Sequence, residues 1–131
     1  MKPIIVAFAF FTLLSLQVNA QQINEKIQEV YGTFAQQEVY TNPTRLSYLT
    51  DIIVNRVKIV ESPSSINDKF PKLSSIPLLN KYNPALTYDE VFNPDNFNPI
   101  KYNFNFYTNS NMVYRVDNTN YIIIIEPQKI N

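Results

Sequence analysis

A run of oxygen-bearing side chains, Asp89, Glu90, Asn93, Asp95, Asn96 and Asn98, is the first place in this sequence where chemistry could reside. Two kinds come into question. Carboxylates and side-chain amides are the ligands that calcium prefers, but the loop that presents them in regular spacing needs a glycine at its sharp turn and a distant glutamate, and here the glycine is missing. A pair of carboxylates can also divide the acid and base roles of a hydrolysis, which would require a cleft joining Asp89 or Asp95 to Asp117 or Glu126. Nothing in the spacing fixes such a separation. The plainer expectation is that these residues serve as solvated turns and caps.

The remaining chemistry is narrowed by what the chain lacks. It has no histidine and no cysteine, which removes the commonest general base, the commonest transition-metal ligand and any thiol nucleophile. The serine pairs Ser64-Ser65 and Ser74-Ser75 sit in no Gly-x-Ser-x-Gly elbow, and neither Lys69 nor Lys72 stands at the S-x-x-K spacing of a serine–lysine dyad. The expectation is a non-catalytic protein without cofactor or metal. The paired-carboxylate hydrolase is the alternative.

A different pattern overlaps the acidic run. Tyr82-Asn83-Pro84, Phe92-Asn93-Pro94 and Phe97-Asn98-Pro99 repeat one form. Proline pushes the asparagine before it toward extended backbone, and the asparagine side chain can bond the chain nearby. The aromatic ring is left to pack, so the three read as anchored turns. Were the rings of Tyr82, Phe92 and Phe97 exposed together, they would make an interaction surface.

The elements that must position these turns lie on either side. Apolar residues at Ile23, Ile27, Val30, Tyr31 and Phe34 follow helical spacing from Gln21 to about Gln37, with Gly32 as a weak point. Asn42-Pro43 supplies a cap and a proline at the first helical position, and Leu46, Leu49, Ile53 and Val57 predict a second helix from Pro43 to about Arg56. Val57 to Val60 is β-branched enough for a short strand. From Ser62 to Pro99, most of the chain's nine prolines exclude a long helix or central strand. Phe70, Leu73, Ile76, Leu78 and Leu79 make that segment a cover packed on the domain.

The last third alternates. Ile100 to Phe106, Met112 to Val116 and Tyr121 to Ile125 predict a three-stranded antiparallel meander joined by Asn-rich turns. The preferred register sets Val116 opposite Tyr121, Tyr114 opposite Ile123 and Met112 opposite Ile125. It also brings Tyr102, Phe104 and Phe106 onto the same face, away from Asn103 and Asn105. The uninterrupted isoleucines imply that both faces of the last strand are covered, one by the helices and one by the Pro-rich segment. The class expected is therefore α+β, two N-terminal helices packed on a C-terminal three-stranded antiparallel meander with a Pro-rich connecting segment.

Location is legible at the N-terminus. Lys2, the apolar run Ile4 to Leu16 and Val18-Asn19-Ala20 have the order of a secretory signal. The apolar stretch falls short of the about 20 residues that span a bilayer. Residues 1–20 are thus expected to be removed, leaving a single small domain from Gln21 to Asn131 that is periplasmic or secreted. The full chain balances 11 basic against 11 acidic residues, and loss of Lys2 leaves a slight acidic excess, which argues against nucleic acid as a partner. Without disulfides the mature chain must be held by packing and hydrogen bonds. Tyr121 to Ile125 is too short to span a membrane, and as a strand it could pair with a partner's. The function expected is a protein-interaction or accessory module of the cell envelope, its partner another envelope or secreted protein.

Overall fold

The computed structural model describes residues 19–62 and 69–129; the expected export segment lies outside them except for Asn19 and Ala20. Helix α1 spans Ala20–Tyr31, with Asn19 accepting from the Gln22 backbone and Gln22 reciprocating to Asn19. This capping box straddles the expected cleavage point, so a chain beginning at Gln21 starts its helix without it. The helix stops earlier than its apolar spacing predicts. Gly32 takes φ 53°, a left-handed value that suits glycine, and the chain leaves α1 there through a short 3₁₀ turn and a wide turn over Gln36–Tyr40. Helix α2 spans Pro43–Asp51, capped by the Asn42 side chain with Pro43 in its first turn, and a wide turn over Ile52–Arg56 extends it as far as the spacing predicts.

The predicted α+β class is the one observed: two helices, then a three-stranded antiparallel sheet, here in the order β1-β3-β2. Strand β1 is Val57–Glu61, β2 is Met112–Arg115 and β3 is Tyr121–Ile125. The β2–β3 register matches expectation, with Met112 opposite Ile125 and Tyr114 opposite Ile123. Val116 donates to the Tyr121 carbonyl at 3.0 Å, and Asn118 holds φ 61° in the turn between them. Asparagine tolerates that conformation better than other side chains.

One strand changes places. The Ile100 to Phe106 stretch is not part of the sheet; its position beside β3 is taken by β1, with Ile59 opposite Ile123. Residues Pro99–Lys101 form a 3₁₀ turn, and Lys101 and Asn103 spend their backbone groups on Leu79 and Pro77. The far side of β2 is closed as well, because Arg115 donates its N–H to Pro71. The stretch therefore lies over the sheet. Its side chains still meet the expected partners, since Phe104 and Tyr114 have ring centroids 4.7 Å apart. All nine residues predicted to share a face belong to one apolar cluster, together with Leu73, Phe92 and Phe97 of the Pro-rich segment.

The helices do not cover the other face of β3 as expected. They form a separate cluster around Ile27, Val30, Ile52 and Ile100, and the two clusters share Val57 and Phe106. The second sheet face carries Ile122 and Ile124 of β3, flanked by Lys58 and Val60 of β1 and by Val113 and Arg115 of β2. Ile122 is buried but Val60 is 43% exposed. Ile123 and Ile125 are fully buried. Ile123→Ala should cost about 2–5 kcal/mol, whereas Val91→Ala, at a side chain 82% exposed, should stay within about 0.5 kcal/mol; urea unfolding of the two variants measures both.

Candidate functional site

The segments that the sheet excludes are positioned by two buried cations. Lys101 lies in the 3₁₀ turn after the third Asn-Pro dipeptide, its side chain 4% exposed. Its ammonium is 2.6 Å from Asp89 and 3.9 Å from Glu29 of α1. Tyr102 donates to the other Asp89 oxygen at 3.3 Å, and Asn98 reaches both the Glu29 carboxylate and the Lys26 carbonyl. Burial, outweighing the pull of Glu29 and Glu25, lowers the pKa of Lys26, whose ammonium donates to the Phe97 carbonyl. These groups use one another as partners. The cluster ties α1 to the Pro-rich segment.

Arg56 is held differently. It ends the wide turn after α2 and is 3% exposed. Its Nε donates to the Glu126 carbonyl at 3.0 Å and its Nη2 to the Phe106 carbonyl. Among the described residues Nη1 has no hydrogen-bond partner. Both ion pairs among the described residues belong to Lys101, and Arg56 meets carbonyls, the Phe106 ring 6.0 Å away and the Tyr48 phenol, but no carboxylate in an ion pair. A guanidinium so buried is costly unless its donors and its charge are met.

Arg56 lines an open-sided groove of about 1480 Å³ between α2 with its following turn, the extended stretch Tyr102 to Tyr107, and the tail Glu126 to Lys129. The groove collects Arg45, Arg56, Lys58 and Lys129 against Asp51 and Glu126. Asp51 already accepts from Asn55 at 2.8 Å. Tyr48 and the 80% exposed Tyr107 stack at 5.9 Å on its wall. Burial and then the Tyr107 phenol raise the pKa of Tyr48, while the nearby Arg56 guanidinium pulls the other way. Periodicity placed Arg56 at a helix end but gave no sign of its burial, which depends on carbonyls 50 and 70 residues away.

The open edge of β1 begins at this groove. Glu126 donates its N–H to the Arg56 carbonyl and Ser62 donates to Asn120, which in the observed register makes Lys58 and Val60 the residues bonded to β3. The N–H and C=O groups of Val57, Ile59 and Glu61 then point outward, and β3 is the strand that β1 pairs with.

The sequence-predicted residues are placed as anchors. Tyr82, half-buried, stacks on Tyr31 at 4.8 Å and meets Phe34 at 5.6 Å. Phe92 packs on Phe97 and Tyr121, and Phe97 is 5% exposed. The three rings form no common exposed patch. Each asparagine accepts from a backbone N–H two residues on, at Ala85, Asp95 and Ile100. The oxygen-rich run is likewise dispersed: Asp89 turns to Lys101, Asn93 to its own turn and Asn98 to α1. Asp117 binds the Ser74 hydroxyl and N–H, which hold its pKa below the usual value although burial opposes them. Among the described residues no three acidic side chains gather to hold a metal, and no helix is long and apolar enough to cross a membrane.

Compared with known proteins, the chain matches no family model, no curated protein and no solved structure.

The tyrosines give the site a pH signature. Burial and the Asp89 charge raise the pKa of Tyr102, and Tyr48 is raised as well. Above about pH 10 both ionise in the unfolded chain but stay neutral in the folded one, so stability should fall as pH rises beyond that point. A tyrosinate absorbance titration should show Tyr48 and Tyr102 ionising later in the native protein than in the urea-unfolded chain; identical native and unfolded titrations would contradict the packing.

Proposed function

We propose that this chain is an exported, non-catalytic module of the cell envelope that binds another envelope or secreted protein by accepting one of its extended segments at the edge of β1. The observation that carries the reading is the outward row of backbone groups at Val57, Ile59 and Glu61, which have no partner among the described residues. An open sheet edge is a template for strand addition, where main-chain hydrogen bonds give affinity and alternate side chains give selectivity. The other edge is less available, since Arg115 of β2 is bonded to Pro71. Export is supported by the order of charged, apolar and small residues before Gln21.

Proline distinguishes the two directions of the β1 backbone. Glu61→Pro removes an outward N–H from an exposed position and leaves the ladder to β3 intact, whereas Val60→Pro removes an inward one. The expected outcome is that Glu61→Pro keeps the native circular dichroism spectrum and loses the partner that the wild-type chain, Gln21 to Asn131, captures from envelope extract. Val60→Pro should lower Tm. A folded Glu61→Pro protein that retains the same identified partner with unchanged affinity would sink the reading.

A further inference from the structure

We infer that the segment accepted at β1 is acidic, alternating carboxylate with apolar side chains, and that one of its carboxylates binds the Arg56 guanidinium in the adjoining groove. This rests on the edge-binding reading and adds the chemistry of the partner to it. Arg56 supplies the first reason. It is only 3% exposed, its Nε and Nη2 meet carbonyls, the Phe106 ring and the Tyr48 phenol are its other neighbours, and among the described residues Nη1 has no hydrogen-bond partner and no carboxylate pairs with the charge. A carboxylate oxygen satisfies both the orphaned donors and the uncompensated charge, which a neutral group cannot do.

The charges around it supply the second. Arg45, Lys58 and Lys129 line the same groove, and its acids are Asp51, already bonded to Asn55, and Glu126. Lys58 is on β1 itself, on the sheet face away from Ile59. A strand laid along the edge sets every second side chain on the face of Lys58 and the intervening ones beside Val57 and Ile59. Acidic residues at the first set and apolar residues at the second match what β1 presents. Nη1 is covered in the free protein, so a carboxylate reaches it only when a neighbouring side chain moves aside, and Tyr48, which contacts Arg56 and stacks on the exposed Tyr107, is the candidate.

The test uses the chain Gln21 to Asn131 and two N-acetylated hexapeptides, alternating valine–glutamate and alternating valine–glutamine, with binding read by isothermal titration and by the Tyr107 ring resonances. The acidic peptide should bind at least tenfold tighter than its amide counterpart, shift Tyr107, and lose most of that preference in Lys58→Glu and Lys129→Glu, which lie outside the core. Arg56→Lys keeps a positive charge and should weaken the acidic peptide while leaving the amide peptide unchanged, provided its circular dichroism is native; Lys58→Glu decides the matter where Arg56→Lys fails to fold. Equal affinity for both peptides, sensitive to Glu61→Pro, would leave the edge reading standing and overturn the carboxylate. Binding of neither peptide, or a preference that survives both charge reversals, would overturn it too.

Discussion

Arg56 is the point on which the irregular half of this protein turns. Its guanidinium joins the end of the α2 region to the Phe106 carbonyl and to the Glu126 carbonyl just past β3. Three segments distant in sequence are fixed to one another by one side chain. The same residue accepts the N–H of Glu126 through its own carbonyl and so sets the register in which β1 begins. In a chain with no cysteine, such polar ties do what cross-links do in small disulfide-bonded domains. Lys101 is the counterpart on the other side, holding the Pro-rich segment to α1 through Asp89 and Glu29.

The two ties differ in completeness. Lys101 has two carboxylates within 4 Å, so its charge is met from within the fold. Among the described residues Arg56 has carbonyls, the Phe106 ring and the Tyr48 phenol but no paired carboxylate, and its Nη1 has no hydrogen-bond partner. A folded protein tolerates a buried charge without a counterion poorly, and it lines a groove where a counterion can arrive with a ligand. The open edge of β1 starts one residue later. The open backbone edge and the buried charge thus adjoin.

Much of the fold was legible because it is local. The Asn42-Pro43 cap, the β2–β3 register, the positive φ in the Asn-rich turn and the asparagine-bonded Asn-Pro turns all follow from contacts a few residues apart. The shared face of Tyr102, Phe104 and Tyr114 was legible through period-two alternation, even though the first two lie over the sheet and not in it. Alternation reports which side chains are buried together, not which backbone groups are paired. Hence the exchange of Ile100 to Phe106 for Val57–Glu61 was hidden: the choice depended on Pro71 occupying the edge of β2 and on Pro77 and Leu79 capturing the backbone of Lys101 and Asn103. The early end of α1 hung on Gly32, whose weakness in the helix pattern was the signal. The site was the least legible part, because burial of Arg56 and the outward direction of the β1 edge are both products of long-range pairing.

Amide hydrogen exchange along β1 in the free protein tests the central claim most directly. The register assigns inward N–H groups to Lys58 and Val60 and outward ones to Ile59 and Glu61. Slow exchange at Lys58 and Val60 with fast exchange at Ile59 and Glu61 is the predicted result. Uniform protection across all four would mean that another segment already covers this edge, and the account of a strand-accepting site beside Arg56 would fail.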